Sequence, residues 1–164
     1  LMMGTRTGSI DPSILVYLQR EQHATADQLD QVLNKQSGFL GISGVSNDLR
    51  QVEKAAAEGN ERAKLAISMF IYRLRFFIGA MVASLGGVDV LTFTAGVGEH
   101  APEIRSGACE ALGFLNLKLD REKNAASPID QDIATADSAV RVLVVHTEED
   151  WQIAKECWHV VHKE

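Results

Sequence analysis

Positive charge is in short supply in this chain. Sixteen lysines and arginines stand against twenty-two aspartates and glutamates, a net charge of −6. A nucleic-acid-binding surface requires a concentration of basic side chains, so the balance argues against that class of partner. An acidic protein can still bind ATP where a few basic groups and a divalent cation are placed locally. Cysteine is equally scarce: Cys109 and Cys157 lack any metal-ligand spacing and fall in two separate helical patterns. They read as buried free thiols of a reducing compartment. The most apolar stretch, residues 67–85, is interrupted by Arg73 and Arg75, which favours a core helix over a membrane span. No secretory leader is legible, and the expected location is the cytoplasm, with no membrane partner. The chain opens on Leu1 rather than on an initiator methionine and reads as cut from a longer protein. Internal repeats and low-complexity linkers are missing too. At 164 residues and 46% hydrophobic content, the chain fits one globular domain with a real core.

What is present alternates helix and strand signals. Asp11 before Pro12 is a cap with proline at the first helical position, followed by an apolar face of Ile14, Leu15 and Leu18. Thr25 with Gln28 three residues on forms a capping box for a helix carrying Leu29, Val32 and Leu33. Residues 38–46 read as a glycine- and serine-punctuated loop, and residues 47–58 as a third helix. The longest helix is expected at Glu61–Leu85, with Leu65, Met69, Tyr72, Phe76 and Ala80 recurring every three or four residues until Gly86 and Gly87 stop it. A strand follows at 89–94, a helix at 102–112, and an alternating strand at 115–119. After a polar stretch with a short strand near Ile133, the run Arg141-Val142-Leu143-Val144-Val145 has the character of a central strand covered on both faces. Thr147, with Asp150 three residues later, is expected to cap a last helix bearing Ala154, Cys157, Trp158 and Val161. The class is α/β.

Four places carry candidate chemistry. The segment Val90 to Arg105 joins a strand to a helix through Gly96 and Gly98, where a ligand can approach the backbone and an anion can meet free N–H groups. It reads equally as a tight turn with no ligand, or, with Ala101 and Asp120, as a relaxed Rossmann fingerprint for NAD. Arg6, between small residues and glycines just before a capped helix, presents a guanidinium suited to a phosphoryl oxygen or carboxylate, or simply solvated. The run Ser43-Gly44-Val45-Ser46-Asn47-Asp48-Leu49-Arg50 cradles a ribose and base or caps a helix. His146-Thr147-Glu148-Glu149-Asp150 puts carboxylates at the C-terminal edge of a strand, where Mg²⁺ is held in open sheets, or where acidic groups favour a helix N-terminus. His23, His159 and His162 read as solvent-facing, and His100 lies within the glycine segment.

Taken together, Met2-Met3-Gly4-Thr5-Arg6-Thr7-Gly8-Ser9-Ile10-Asp11-Pro12, the run 41–50 and Phe93-Thr94-Ala95-Gly96-Val97-Gly98-Glu99 closely resemble the acetate kinase (acetokinase) family. The resemblance runs over essentially the whole chain and marks it as a C-terminal half. It implies a ribonuclease H-like (actin/Hsp70-type) nucleotide-binding domain over residues 1–164, with a mixed sheet flanked by helices. It also implies reversible transfer of the ATP γ-phosphoryl group to acetate, giving acetyl phosphate and ADP, in a cytoplasmic homodimer. By the same resemblance Arg6 is the catalytic arginine, and Glu149 is the glutamate associated with Mg²⁺ (or Mn²⁺). Asp48, Leu49 and Arg50 contact the adenosine, and Gly96, Val97, Gly98 and His100 lie beneath the adenine and phosphates. The family usually has asparagine where His100 stands and Asn-Glu-Glu where Glu148-Glu149-Asp150 stands. A propionate or butyrate kinase is the neighbouring alternative, and the isolated half is expected to be inactive.

Overall fold

The structure, a computed structural model, describes residues 1–126 and 128–162. It divides into two compact units, Leu1–Gly86 and Gly87–Glu164.

Unit 1 is helical: α1 (Pro12–Glu21), α2 (Ala26–Lys35), α3 (Gly38–Ser43), α4 (Leu49–Ala57) and α5 (Glu61–Leu85). The caps are those expected. Asp11 accepts from the Ser13 amide, and Thr25 and Gln28 form the reciprocal capping box. The core is Phe39, Leu49, Val52, Ala63, Ala66 and Phe70, with Phe39 and Phe70 ring centroids 5.1 Å apart.

Two expectations fail here. Residues 38–43 are helix rather than loop, because Phe39 is anchored in the core and the Ser43 hydroxyl returns a hydrogen bond to the Phe39 carbonyl at 2.6 Å. The Arg62 guanidinium then takes the end-carbonyls of α3, Nε donating to Ile42 at 2.8 Å and Nη2 to Gly41 at 2.9 Å. The second failure concerns α5. Its bounds match the expectation, but Ala63, Ala66 and Phe70 are its buried residues, while Leu65, Met69, Tyr72 and Phe76 are exposed. By length and composition α5 is apolar enough to cross a membrane, so the core-helix reading accounts only for its first half.

Unit 2 holds a three-stranded sheet in the order β1 (Val90–Thr94), β3 (Arg141–Val145), β2 (Gln131–Asp132). β1 runs parallel to β3 with Val90 opposite Arg141 and Thr94 opposite Val145, and β2 runs antiparallel to β3. β3 is therefore central, as its apolar run predicts. Only one of its faces is fully buried, however, through Val142 and Val144. Around the sheet lie α6 (Ala95–His100), α7 (Pro102–Glu110), the 3-10 turn η1 (Gly113–Leu115), α8 (Arg121–Ala125) and α9 (Glu149–Val161). Ile104, Ala108, Leu112 and Ile133 complete this core.

Residues 115–119 alternate in burial but form no strand. The segment starts in η1, Asn116 sits at φ 55°, and a single antiparallel bridge joins Leu119 to Ala134. Cys109 is buried as expected, and burial pushes its thiol up to about 12; Cys157 is exposed instead, since α9 has no buried residue.

Candidate functional site

In unit 1 the segment bearing Arg6 is strapped down by its main chain. The amides of Phe39, Leu40 and Ser37 donate to the carbonyls of Met3, Gly4 and Thr5 at 2.9, 3.0 and 2.8 Å, and the Thr7 amide donates to Leu33 at 2.9 Å. The docking is close enough to demand glycine at 38, which has φ +62° and where an added Cβ would overlap the Met3 carbonyl oxygen. Arg6 itself stays exposed. The strap also runs beside the second candidate segment: a Cβ on Gly4 would lie 3.1 Å from the Asn47 carbonyl oxygen.

Asp48 caps α4, accepting from the Arg50 amide at 3.0 Å, and its carboxylate pairs with the Arg50 guanidinium at 3.0 Å (Nε) and 2.6 Å (Nη2). The Arg50 hydrogen bonds hold Asp48 below the usual carboxylate range. Leu49 is buried, so its side chain belongs to the helical core. Capping and exposure of an arginine thus coexist in this segment.

In unit 2 the glycine segment is not an open loop. The chain leaves β1 through Ala95, at φ 58°, and coils at once into α6. Gly98 permits this tight reversal, since a Cβ there would stand 3.1 Å from the Phe93 backbone carbon. Gly96, Val97 and His100 are exposed along α6, and Glu99 alone is buried.

Two buried polar side chains lock α6 in place, and neither drew notice in the sequence as a site residue. Arg105, 1% exposed, donates from Nη1 to the carbonyls of Gly98 and Glu99, both at 2.8 Å. Its Nε donates to Asn124 Oδ1 and its Nη2 to the Asn124 carbonyl, both at 2.7 Å. Asn124 in turn donates to the Pro102 carbonyl at 3.0 Å. These carbonyls solvate a guanidinium buried without a carboxylate partner among the described residues, and burial lowers its proton affinity.

The Glu99 carboxylate reaches the exit of β3. Its Oε1 accepts from the Thr147 amide at 3.0 Å and from the Thr147 hydroxyl at 2.9 Å, and the His146 Nδ1–H faces Oε2 at 2.7 Å. The His146 hydrogen bond, followed by the Thr147 amide, brings the Glu99 carboxyl down to about 2, and Glu99 raises His146 above its ordinary value. Thr147 therefore does not cap α9 as expected. The N-cap is Glu148, without a side-chain capping bond. Glu149 lies exposed in the first turn of α9.

Among the described residues no group of three or more histidine, cysteine or acidic side chains could enclose a metal ion. An exposed carboxylate such as Glu149, flanked by Glu148 and Asp150 at a strand exit, nonetheless suits Mg²⁺, which commonly takes one or two carboxylates and completes its shell with water and phosphate oxygens. The Rossmann reading loses its acidic partner. Asp120 is committed to capping α8, accepting from the Glu122 and Lys123 amides at 3.1 and 3.0 Å.

The mixed three-stranded sheet, with β1 parallel to β3, and the helices flanking it make unit 2 an α/β domain of the kind expected of the ribonuclease H-like (actin/Hsp70-type) class. A solved acetate kinase from Porphyromonas gingivalis superposes on 98% of the chain with TM-score 0.89 and 41% identity, the match covering 41% of that protein. A propionate kinase from Francisella tularensis matches 95% of the chain and 40% of its own length, with TM-score 0.86 and 39% identity. The chain belongs to the acetokinase family, whose pattern matches residues 1–155. An acetate kinase of Gloeothece citriformis is 64% identical over 159 residues, 97% of this chain and 39% of that enzyme. The chain thus spans about two fifths of the length of the curated relatives it matches.

Proposed function

We propose that residues 1–164 are the C-terminal nucleotide-binding domain of an acetate kinase, whose remaining N-terminal portion supplies the acyl pocket. The complete enzyme would reversibly transfer the ATP γ-phosphoryl group to acetate, giving acetyl phosphate and ADP. One observation carries the choice of acetate: relatives named acetate kinase are 56 to 64% identical to this chain over nearly its whole length. The propionate kinase neighbour stands at 39%. Propionate or butyrate as the acceptor is the alternative, since the acyl pocket lies outside these residues.

Phosphoryl transfer asks little covalent chemistry of a protein; it asks for alignment and for neutralisation of developing charge. Arg6, unpaired with any carboxylate among the described contacts and held on a fixed strap, offers a planar donor fork to the equatorial oxygens of the transferring group. Gly96, Val97, Gly98 and His100 would line the adenine and phosphates along α6, with the Asp48–Arg50 segment serving the adenosine. Glu149 would hold Mg²⁺, with Mn²⁺ as a substitute; the ion, when bound, offsets phosphate charge. A cytoplasmic homodimer completes the reading, with no nucleic-acid or membrane partner. The isolated chain, lacking the acyl pocket, is expected to bind nucleotide weakly and not to turn over.

Calorimetric titration with ADP, with and without Mg²⁺ and with NAD⁺ in parallel, tests this. Binding of ADP strengthened by Mg²⁺, with NAD⁺ silent, is the expected result. NAD⁺ binding without a Mg²⁺ effect would overturn it. In the full-length enzyme Arg6→Ala should lower kcat by about a thousandfold, the scale of removing one transition-state charge partner.

A further inference from the structure

We propose that Glu99 is a positioning residue: through Thr147 it fixes the turn that presents Glu149 to the glycine-containing helix α6, so that the phosphate-lining and metal-binding elements of unit 2 form one rigid body. The inference rests on the assignment of α6 and Glu149 made above.

The geometry is specific. Glu99 is the buried residue of α6, and both its carboxylate oxygens are engaged by the two residues that follow β3. Three donors already occupy most of the acceptor sites of this buried carboxylate. Its effect is on what it holds. The residue is gripped twice: its carbonyl accepts from Arg105, and its side chain accepts from Thr147 and His146.

The turn after β3 has little other support. Thr147, the residue expected to cap α9, is turned toward Glu99, the actual N-cap contributes no side-chain bond, and α9 buries none of its residues. A further tie is the His146 amide donating to Asp130 Oδ1 at 2.9 Å. Glu149 lies two residues beyond Thr147, so its placement relative to α6 passes through the Glu99 carboxylate. Partners that orient metal ligands without touching the ion commonly matter about ten- to a hundredfold in metal affinity.

The test uses the full-length enzyme with Glu99→Ala, Glu99→Gln, Thr147→Val, Thr147→Ser and the Glu99→Ala/Thr147→Val double variant. Amide hydrogen exchange in the nucleotide- and metal-free protein comes first. Glu99→Ala should speed exchange of the Thr147 amide at least tenfold while Val142 and Val144 in β3 remain protected, and Glu99→Gln, whose amide oxygen still accepts from Thr147, should restore protection. ADP binding is then measured with and without Mg²⁺. Glu99→Ala and Thr147→Val should each erode the Mg²⁺-dependent gain in affinity, by about tenfold for the former, with a smaller loss in metal-free ADP binding. The double variant should lose no more than Glu99→Ala alone, because one linkage is removed twice, and Thr147→Ser should rescue. Additive losses, equal losses with and without Mg²⁺, or an unchanged Thr147 exchange rate would overturn the proposal. If Glu99→Ala does not fold, the Thr147→Val and Thr147→Ser pair decides by the same criteria. A wild-type enzyme showing no Mg²⁺-dependent nucleotide binding would instead mark failure of the functional assignment itself.

Discussion

The two units present their candidate residues by different means. Unit 1 uses main chain and local pairs: the strap carrying Arg6 is held by backbone hydrogen bonds, and the Asp48 and Arg50 side chains satisfy each other across two residues. Unit 2 uses long-range side chains: Arg105 and Asn124, nineteen positions apart, and Glu99 with Thr147, forty-eight apart, hold α6 in place. Main-chain support tolerates most side-chain changes, because no single substitution removes the donor or acceptor. Side-chain support concentrates the dependence in a few residues. Unit 2 should therefore be brittle at polar positions, where unit 1 depends chiefly on its apolar core, on Gly38 beneath the strap and on Arg62 at the end of α3.

The largest effects test that contrast directly. Phe70→Ala, which empties the site against Phe39, should destabilise unit 1 by about 4 kcal/mol in chemical denaturation. Arg105→Leu should cost unit 2 about 3 kcal/mol, since it strands the carbonyls of Gly98, Glu99 and Asn124 inside the protein. A polar substitution in unit 1 should do far less: Thr25→Ala removes one cap and should cost about 1 kcal/mol. Equal losses for Arg105→Leu and Thr25→Ala would break the comparison.

Acidity sharpens it further. With its folded value at about 2 against an ordinary 4.5, Glu99 contributes stability that is complete above pH 4.5 and is lost as pH falls toward 2. His146 has the opposite sign: raised above 6.5, its contribution is complete below that value and fades as pH rises through the folded one. The pair is strongest between these windows. In melting curves taken from pH 7 to pH 2.5, Glu99→Gln should lose less stability on acidification than the wild type. The smallest effect concerns the thiols. Cys157 should react with a disulfide reagent at once, and Cys109, buried with its thiol pushed up to about 12, only on unfolding.

Where local chemistry decides structure, the sequence was readable. Asp11-Pro12, the Thr25/Gln28 box and the Gly86 stop set helix ends correctly, and the apolar run at 141–145 identified the middle strand. Two of the misreadings share one cause: a distant partner outweighed a local signal. Thr147 has the spacing of a cap but is drawn to Glu99 across the sheet edge. Residues 38–43 have loop composition but are coiled by Phe39 in the core and Arg62 on their carbonyls. Residues 115–119 alternate like a strand, yet only Leu119 finds a bridge partner. The candidate site positions come from short contiguous motifs, whereas Arg105 and Glu99 escaped notice, since nothing in their immediate neighbours reveals a partner nineteen or forty-eight residues away.

The parallel pairing of β1 with β3 also sets an order in time. Val90 meets Arg141 only after all the intervening chain has been gathered in, whereas the helices of unit 1 close mostly over short distances along the sequence. Closing a long loop before any pairing is gained slows folding. In pulse-labelled refolding, amides of α4 and α5 should therefore gain protection early and those of Val90–Thr94 late. Until that last ladder zips, α6 has no edge to fold onto, so the newly made chain acquires the helices of unit 1 well before the sheet edge at which the proposed nucleotide site would form.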